Sequence, residues 1–315
     1  MHLATKTLAA IDAAMRSDQG AKFRHYLREA MPHAEDAYSE EESDFRAHLG
    51  ASVIGRECPR EVWYSFHWTT LRKHSGQLLR LFNRGHLEEP RMVALLRMIG
   101  CTVYQFDADG NQFRITGHKG HYGGSLDSVV VGCPDIPDHP ILGEYKTHND
   151  KSFQKLKVEG VIASKWEHFV QMQQYMGKMQ LCASLYMATN KNDDEIHAEL
   201  IQFDPAQYQR YEQRSVQIID AREPPPKISD TPGFWKCKFC DHRDVCHLKA
   251  LPARNCRTCV HSLPGDDGIW WCNNKERQLE LLFPAQNPER EDFTLTKTRQ
   301  LKGCEHYEMN PSIKS

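Results

Sequence analysis

Asp127, Glu144 and Lys146 are the residues whose types and spacing could do chemistry. Asp127 sits in an apolar run from Leu126 to Val131, and Glu144 and Lys146 close a second run that begins Ile141-Leu142. Both runs are rich in strand-forming aliphatic residues. Side chains two apart on a strand share a face, so Glu144 and Lys146 point together and Tyr145 points away. Two carboxylates can hold a hard divalent cation through oxygen. Such a cation lowers the pKa of a bound water and neutralises charge growing on phosphorus. A neighbouring ammonium helps to hold the attacking water or the phosphate. The set therefore suits metal-assisted cleavage of a phosphodiester. The same short pattern also arises by chance on surface hairpins, so its surroundings must decide.

The elements that must position these groups are readable from periodicity. Leu78, Leu81, Phe82, Val93, Leu96 and Ile99 predict an amphipathic helix over 77–99. Pro90 is expected to break it or start a new helix. Just before Pro90 lies Gly85-His86-Leu87-Glu88-Glu89. Glu89 is the candidate to complete the cation's shell, with His86 or Glu88 as the alternative first ligand. His86 and Glu89 are three apart and can share a helical face. Residues 101–147 read as a β-meander: a strand over 102–106, a turn at 107–111, a return over 112–116, and a glycine-rich loop before Asp127. Lys151, Lys155 and Lys157 are expected in a basic loop after Lys146, where they would suit phosphate contacts. A helix over 165–182 places Gln171 and Tyr175 on one face. Strands over 183–189 and 196–203 and a helix over 204–221 follow, closed by Pro224, Pro225 and Pro226.

That order predicts an α/β fold, a mixed central sheet flanked by helices, with an N-terminal helical segment and a C-terminal cysteine-rich metal-binding module. The expected divisions are 1–75, 76–223, 224–250 and 251–315. The chain has 315 residues and a formal net charge of -2, so global charge announces no polyanionic partner. No apolar run is long enough to span a bilayer and no secretory signal is evident, which predicts a cytoplasmic protein. Eleven cysteines in a reducing compartment argue for metal rather than disulfides. Cys237, Cys240 and Cys246 supply three thiols within ten residues. A metal site wants a fourth, and Cys58 is the leading candidate. Soft thiolates suit an iron–sulfur cluster or zinc alike. Cys256, Cys259, Cys272 and Cys304 form a second, zinc-ribbon-like set, with His261 or His306 able to replace one ligand.

Taken together, these residues resemble the PD-(D/E)xK nuclease superfamily in its RecB-like branch. Asp127 and Glu144-Tyr145-Lys146 match the superfamily pattern, Gly85 to Glu89 the preceding helix, and Gln171 and Tyr175 the following Gln-x3-Tyr motif. Cys58 with Cys237, Cys240 and Cys246 resembles the arrangement in the branch's iron–sulfur nucleases, the CRISPR-adaptation nuclease and the AddB type, with one Cys before the core and three after it. Glu89 in place of a His ligand is as in phage recombination exonucleases. The resemblance covers roughly residues 50–250 and implies a restriction-endonuclease-like core. It implies a Mg²⁺- or Mn²⁺-dependent DNA exonuclease of phage or bacterial recombination or repair. Asp127, Glu144, Glu89 and the Tyr145 carbonyl would bind the cation, Lys146 would act on water, and Gln171 and Tyr175 would position the strand. A structural 4Fe-4S cluster would complete it. Residues 251–315 have no counterpart there and are a candidate contact for a protein partner. The competing reading is a non-catalytic DNA- or protein-binding module on a nuclease-like fold. A redox enzyme is disfavoured, because no Gly-rich dinucleotide fingerprint follows a strand.

Overall fold

The structure is a computed structural model, and it describes residues 1–36, 38, 45–71, 73–274 and 300–314. In chain order the helices are α1 (Thr5–Asp18), α2 (Ala21–Ala30), α3 (Pro59–Phe66), α4 (Gly76–Met98), α5 (Asp150–Ser164), α6 (Trp166–Met179), α7 (Pro205–Asp220), α8 (Trp235–Lys238) and α9 (Arg243–His247). The strands are β1 (Leu49–Gly50), β2 (Thr102–Tyr104), β3 (Arg114–Gly117), β4 (Tyr122–Ser125), β5 (Ser128–Val131), β6 (Ile141–His148), β7 (Ala183–Asn190), β8 (Ile196–Gln202), β9 (Ser262–Pro264) and β10 (Trp270–Cys272). The chain divides into two compact units. The first comprises residues 1–40, 74–115 and 124–211, and the second 41–73, 116–123 and 212–315.

The first unit is built on a five-stranded sheet in the order β2-β5-β6-β7-β8. β6 and β7 run parallel, with Glu144 opposite Tyr186 and Lys146 opposite Ala188. The other pairings are antiparallel. The sheet is thus mixed and flanked by helices, as expected. Tyr145, Val130, Ile141, Leu185 and Met187 join Met92, Val93 and Leu96 of α4 in one core. Removing that much apolar surface from water is the main force holding sheet to helix. The acidic run of residues 35–44 falls largely outside the described residues.

Three expectations are corrected here. Pro90 does not interrupt its helix: α4 runs unbroken through it, and Pro90 is buried. Burial of Met92, Val93, Leu95 and Leu96 on the following turns outweighs the one backbone hydrogen bond that a proline forfeits. The meander is incomplete, because β2 pairs with β5 whereas β3 pairs with β4. The lysine-rich stretch after Lys146 is a helix, not a loop. Asn149 caps it by accepting the Ser152 amide at 2.9 Å, and Phe153, Leu156 and Val161 are buried. Gly160 interrupts its helical geometry at φ 74°, a left-handed conformation that glycine adopts freely.

In the second unit, β1 lies parallel to β4, with Leu49 opposite Tyr122. β9 and β10 form an antiparallel hairpin. Trp63, Tyr64, Phe66 and Trp68 are buried and form core. The buried guanidinium of Arg257 lies 3.7 Å from the Trp68 ring and 4.6 Å from that of Trp270. It donates to Gln300 Oε1 at 3.0 Å and to the carbonyls of Phe66 and Ala47. Hydrogen bonds and ring faces stabilise this desolvated cation in place of a carboxylate.

Candidate active site

All the acidic and basic candidates for phosphodiester chemistry lie in the first unit. β6 delivers Glu144 and Lys146 to one face and Tyr145 to the other, where the Tyr145 hydroxyl is 2.6 Å from Ser128 Oγ. Asp127 precedes β5, and its Oδ2 accepts the Tyr145 backbone amide at 2.8 Å. That bond pins the carboxylate against β6. Lys146 Nζ forms an ion pair with Glu144 Oε1, lies 3.7 Å from Asp127 Oδ2, and donates to the Tyr145 carbonyl at 3.1 Å. One ammonium therefore bridges both carboxylates.

Glu144 is fully buried, and its Oε2 has no hydrogen-bond partner among the described residues. Burial pushes the Glu144 carboxyl above the usual carboxylate range. Lys146 opposes that shift, while Asp127 and Glu89 add to it. For Lys146, burial pulls downward, but Glu144 and Asp127 outweigh it and hold the ammonium above its ordinary range. Burial also raises Glu89, with His86 pulling down and Asp127 pushing up. Those electrostatic couplings place Glu89 in the same cluster. His86 Nδ1 is 3.6 Å from Glu89 Oε1, and that contact holds the imidazole above its usual range. Glu88 is engaged elsewhere: it accepts from Thr189 Oγ1 at 3.1 Å and pairs with Arg91 at 3.1 Å.

Gln171 and Tyr175 sit one turn apart on α6, and Gln171 Nε2 donates to the Tyr175 hydroxyl at 3.2 Å. Both are buried, and Glu144 and Asp127 add to the burial that raises the Tyr175 phenol. A Cβ on Gly124 would stand 2.7 Å from the Tyr175 hydroxyl, so glycine is what admits the ring. Lys155 and Lys157, expected to be free for phosphate, pair with Glu159 at 3.6 Å and Glu195 at 2.5 Å. Lys151 lies exposed on the first turn of α5.

Two histidines were not singled out by the sequence reading. His148 Nε2 and His168 Nδ1 each lie 2.9 Å from the Tyr186 hydroxyl. Tyr186 is fully buried opposite Glu144. The signal was present: His148 is two residues beyond Lys146, and His168 three before Gln171, each on the face already identified.

Known proteins add little to this geometry. No protein-family profile and no curated protein matches the chain. Among solved structures it is similar to an alkaline exonuclease (LHK-Exo) from Laribacter hongkongensis, at 17% identity and TM-score 0.39, covering 55% of this chain and 86% of that one. LHK-Exo in complex with dAMP gives 16% identity and TM-score 0.38 over the same shares. A structure of SSO0001 gives 16% identity and TM-score 0.39, over 74% of this chain and 98% of that one. Likeness this distant leaves the chemistry to the side chains.

Both candidate cysteine sets lie in the second unit, and none of the eleven cysteines forms a disulfide. Cys58, Cys237, Cys240 and Cys246 line one cavity. Cys256, Cys259, Cys272 and Cys304 line another, with His261 and His306. Burial pushes the Cys237, Cys240 and Cys246 thiols up, and Cys58 adds to each shift, as like charges sharing one space would. Of the remaining thiols, Cys101 and Cys133 are buried and Cys182 is exposed. Among the described residues no three His, Cys, Asp or Glu side chains stand close enough to hold a single ion as arranged. At the carboxylates the reason is visible: the Lys146 ammonium lies where Asp127 and Glu144 converge. The donor set still fits a hard cation, being all oxygen, with one buried carboxylate oxygen unsatisfied.

Proposed function

We propose that the chain is a divalent-metal-dependent deoxyribonuclease, an exonuclease of the PD-(D/E)xK type acting in DNA recombination, repair or processing. The observation that carries this reading is the shared ammonium. Lys146 Nζ pairs with Glu144 and stands 3.7 Å from Asp127, while the second Glu144 oxygen is buried without a partner. Structural ion pairs rarely leave a carboxylate oxygen so stranded, because the desolvation cost goes uncompensated.

Asp127, Glu144, Glu89 and the Tyr145 carbonyl would hold Mg²⁺ or Mn²⁺. Bound there, the cation would supply an acidified water and neutralise charge on phosphorus. Lys146 would release one carboxylate and donate to the attacking water or a phosphate oxygen. Gln171 and Tyr175, coupled to each other, would orient the scissile strand. His86 would set the orientation of Glu89. Lys151, with Lys155 and Lys157, would meet flanking phosphates. The cavity thiols would hold structural metal: a 4Fe-4S cluster on Cys58, Cys237, Cys240 and Cys246, and zinc on Cys256, Cys259, Cys272 and Cys304. Hydrolysis needs no electron, so neither would enter the reaction. The order of the thiols, Cys58 before the core and Cys237, Cys240 and Cys246 after it, supports the cluster assignment.

The test is digestion of end-labelled linear DNA with Mg²⁺ or Mn²⁺, with and without chelator. Lys146→Ala should lower cleavage by about 100-fold or more while circular dichroism is unchanged. Undiminished cleavage by that variant rejects the site. DNA binding by the wild-type chain without any metal-dependent cleavage would favour the non-catalytic module.

A further inference from the structure

Trp235 and Phe239 are 64% and 79% exposed, more than any other described aromatic side chain. Both belong to the short turn that carries Cys237 and Cys240. Trp235 opens α8 and Phe239 directly follows its last residue, so the two rings flank the same turn. Cys237 between them is buried and, with Cys240, faces the thiol cavity. The turn therefore presents sulfur inward and aromatic rings outward. Leaving two such side chains in water forgoes the gain of burying them.

Their surroundings indicate what would cover them. Lys236 Nζ lies 5.0 Å from the Trp235 ring centroid, and Lys238 Nζ 5.7 Å from that of Phe239. Lys236 also pairs with Glu57. Along the segment, Lys236, Lys238, Arg243 and Lys249 outnumber Asp241 and Asp244. Flat rings alternating with ammonium groups match a polymer that alternates flat bases with phosphates. Base–aromatic stacking is favourable for every base, because each presents a π-face, and so acts without regard to sequence.

We propose that the Trp235–Phe239 turn is a stacking platform for single-stranded nucleic acid, with Lys236 and Lys238 on its phosphates. The proposal takes its ligand class from the nuclease reading, and its test separates the two. The full chain, without added divalent metal, is titrated with fluorescein-labelled oligothymidylate and followed by anisotropy and tryptophan fluorescence. Trp235→Ala/Phe239→Ala should weaken binding by at least about tenfold with an unchanged melting temperature, since both rings are solvent-exposed. Trp235→Phe should retain affinity and lose the fluorescence quench. Lys236→Gln/Lys238→Gln should flatten the salt dependence by a slope of about 1.4. Wild-type affinity in the double aromatic variant overturns the proposal, as does binding to phosphatidylserine vesicles in place of the oligonucleotide. Digestion of linear duplex DNA is run in parallel. Cleavage with no loss of binding in the aromatic variant sinks the platform alone. Platform-dependent binding with no cleavage upholds the platform and removes the nuclease reading.

Discussion

At Glu88 and Glu89, adjacent carboxylates of similar chemistry have been given different work. Glu88 is held by Thr189 and Arg91, whereas Glu89 is coupled to His86, Asp127 and Lys146. Glu89→Gln should therefore lower metal-dependent cleavage by about 100-fold, and Glu88→Gln should leave it within about threefold, at matched Mg²⁺. A reversal of that ranking would reassign the ligand. Gly124→Ala tests the opposite wall. Its new methyl would meet Tyr175 at 2.7 Å, and the ring is too buried to retreat cheaply. Displacing Tyr175 should cost up to about 100-fold in kcat with KM for DNA little changed. The convergence of Asp127, Glu144 and Lys146 was legible because strand periodicity is rigid: two residues always return to the same face. The choice between Glu88 and Glu89 was not, because on a helix adjacent residues diverge by about 100° and only the tertiary partners say which one turns inward. His148 and His168 went unread for a related reason, since their meeting point is a tyrosine on another strand.

Elements with a strong apolar period were readable: α6, β7, β8 and α7 lie within a few residues of expectation. α5 was not, because lysines and glutamates mask its short apolar stripe and Gly160 breaks the period. Its start does carry a local signal, the Asn149 side chain on the Ser152 amide. Asn149→Ala should destabilise the first unit by about 1 kcal/mol in urea unfolding, with an unchanged m-value. An unaltered midpoint would mean that packing of Phe153 and Leu156 alone sets the helix start. α4 misled in the other direction. Proline propensity is a local penalty of about 3 kcal/mol, and several buried side chains on the next two turns exceed it.

For the molecule as a whole, buried histidines set the response to acid. Burial holds His67 down near about 3, with Arg257 and His121 adding to the shift, and holds His121 and His148 near about 4. An unfolded chain protonates these rings near 6.5 and the folded one does not. Stability from this source is thus complete above about 6.5 and is lost as pH falls toward about 4, by up to about 1.4 kcal/mol per histidine per pH unit. Thermal melts at about pH 7 and about pH 5 should show the fall, and His67→Asn should flatten it. A melting temperature constant across that window would contradict the burial argument. The division into two units was the least legible feature: the cysteines pointed to the segment around Cys58, but no local pattern marks residues 116–123 as part of the same unit. The second unit is stitched from residues 41–73, 116–123 and 212–315, so the thiol of Cys58 leaves the ribosome while Cys237, Cys240 and Cys246 are not yet translated. At about 5–20 residues per second, that sulfur spends roughly ten seconds or more exposed on a nascent chain. This cavity therefore cannot assemble until Cys246 has been made, and under oxidising conditions Cys58 is the thiol most at risk of being lost before its neighbours exist.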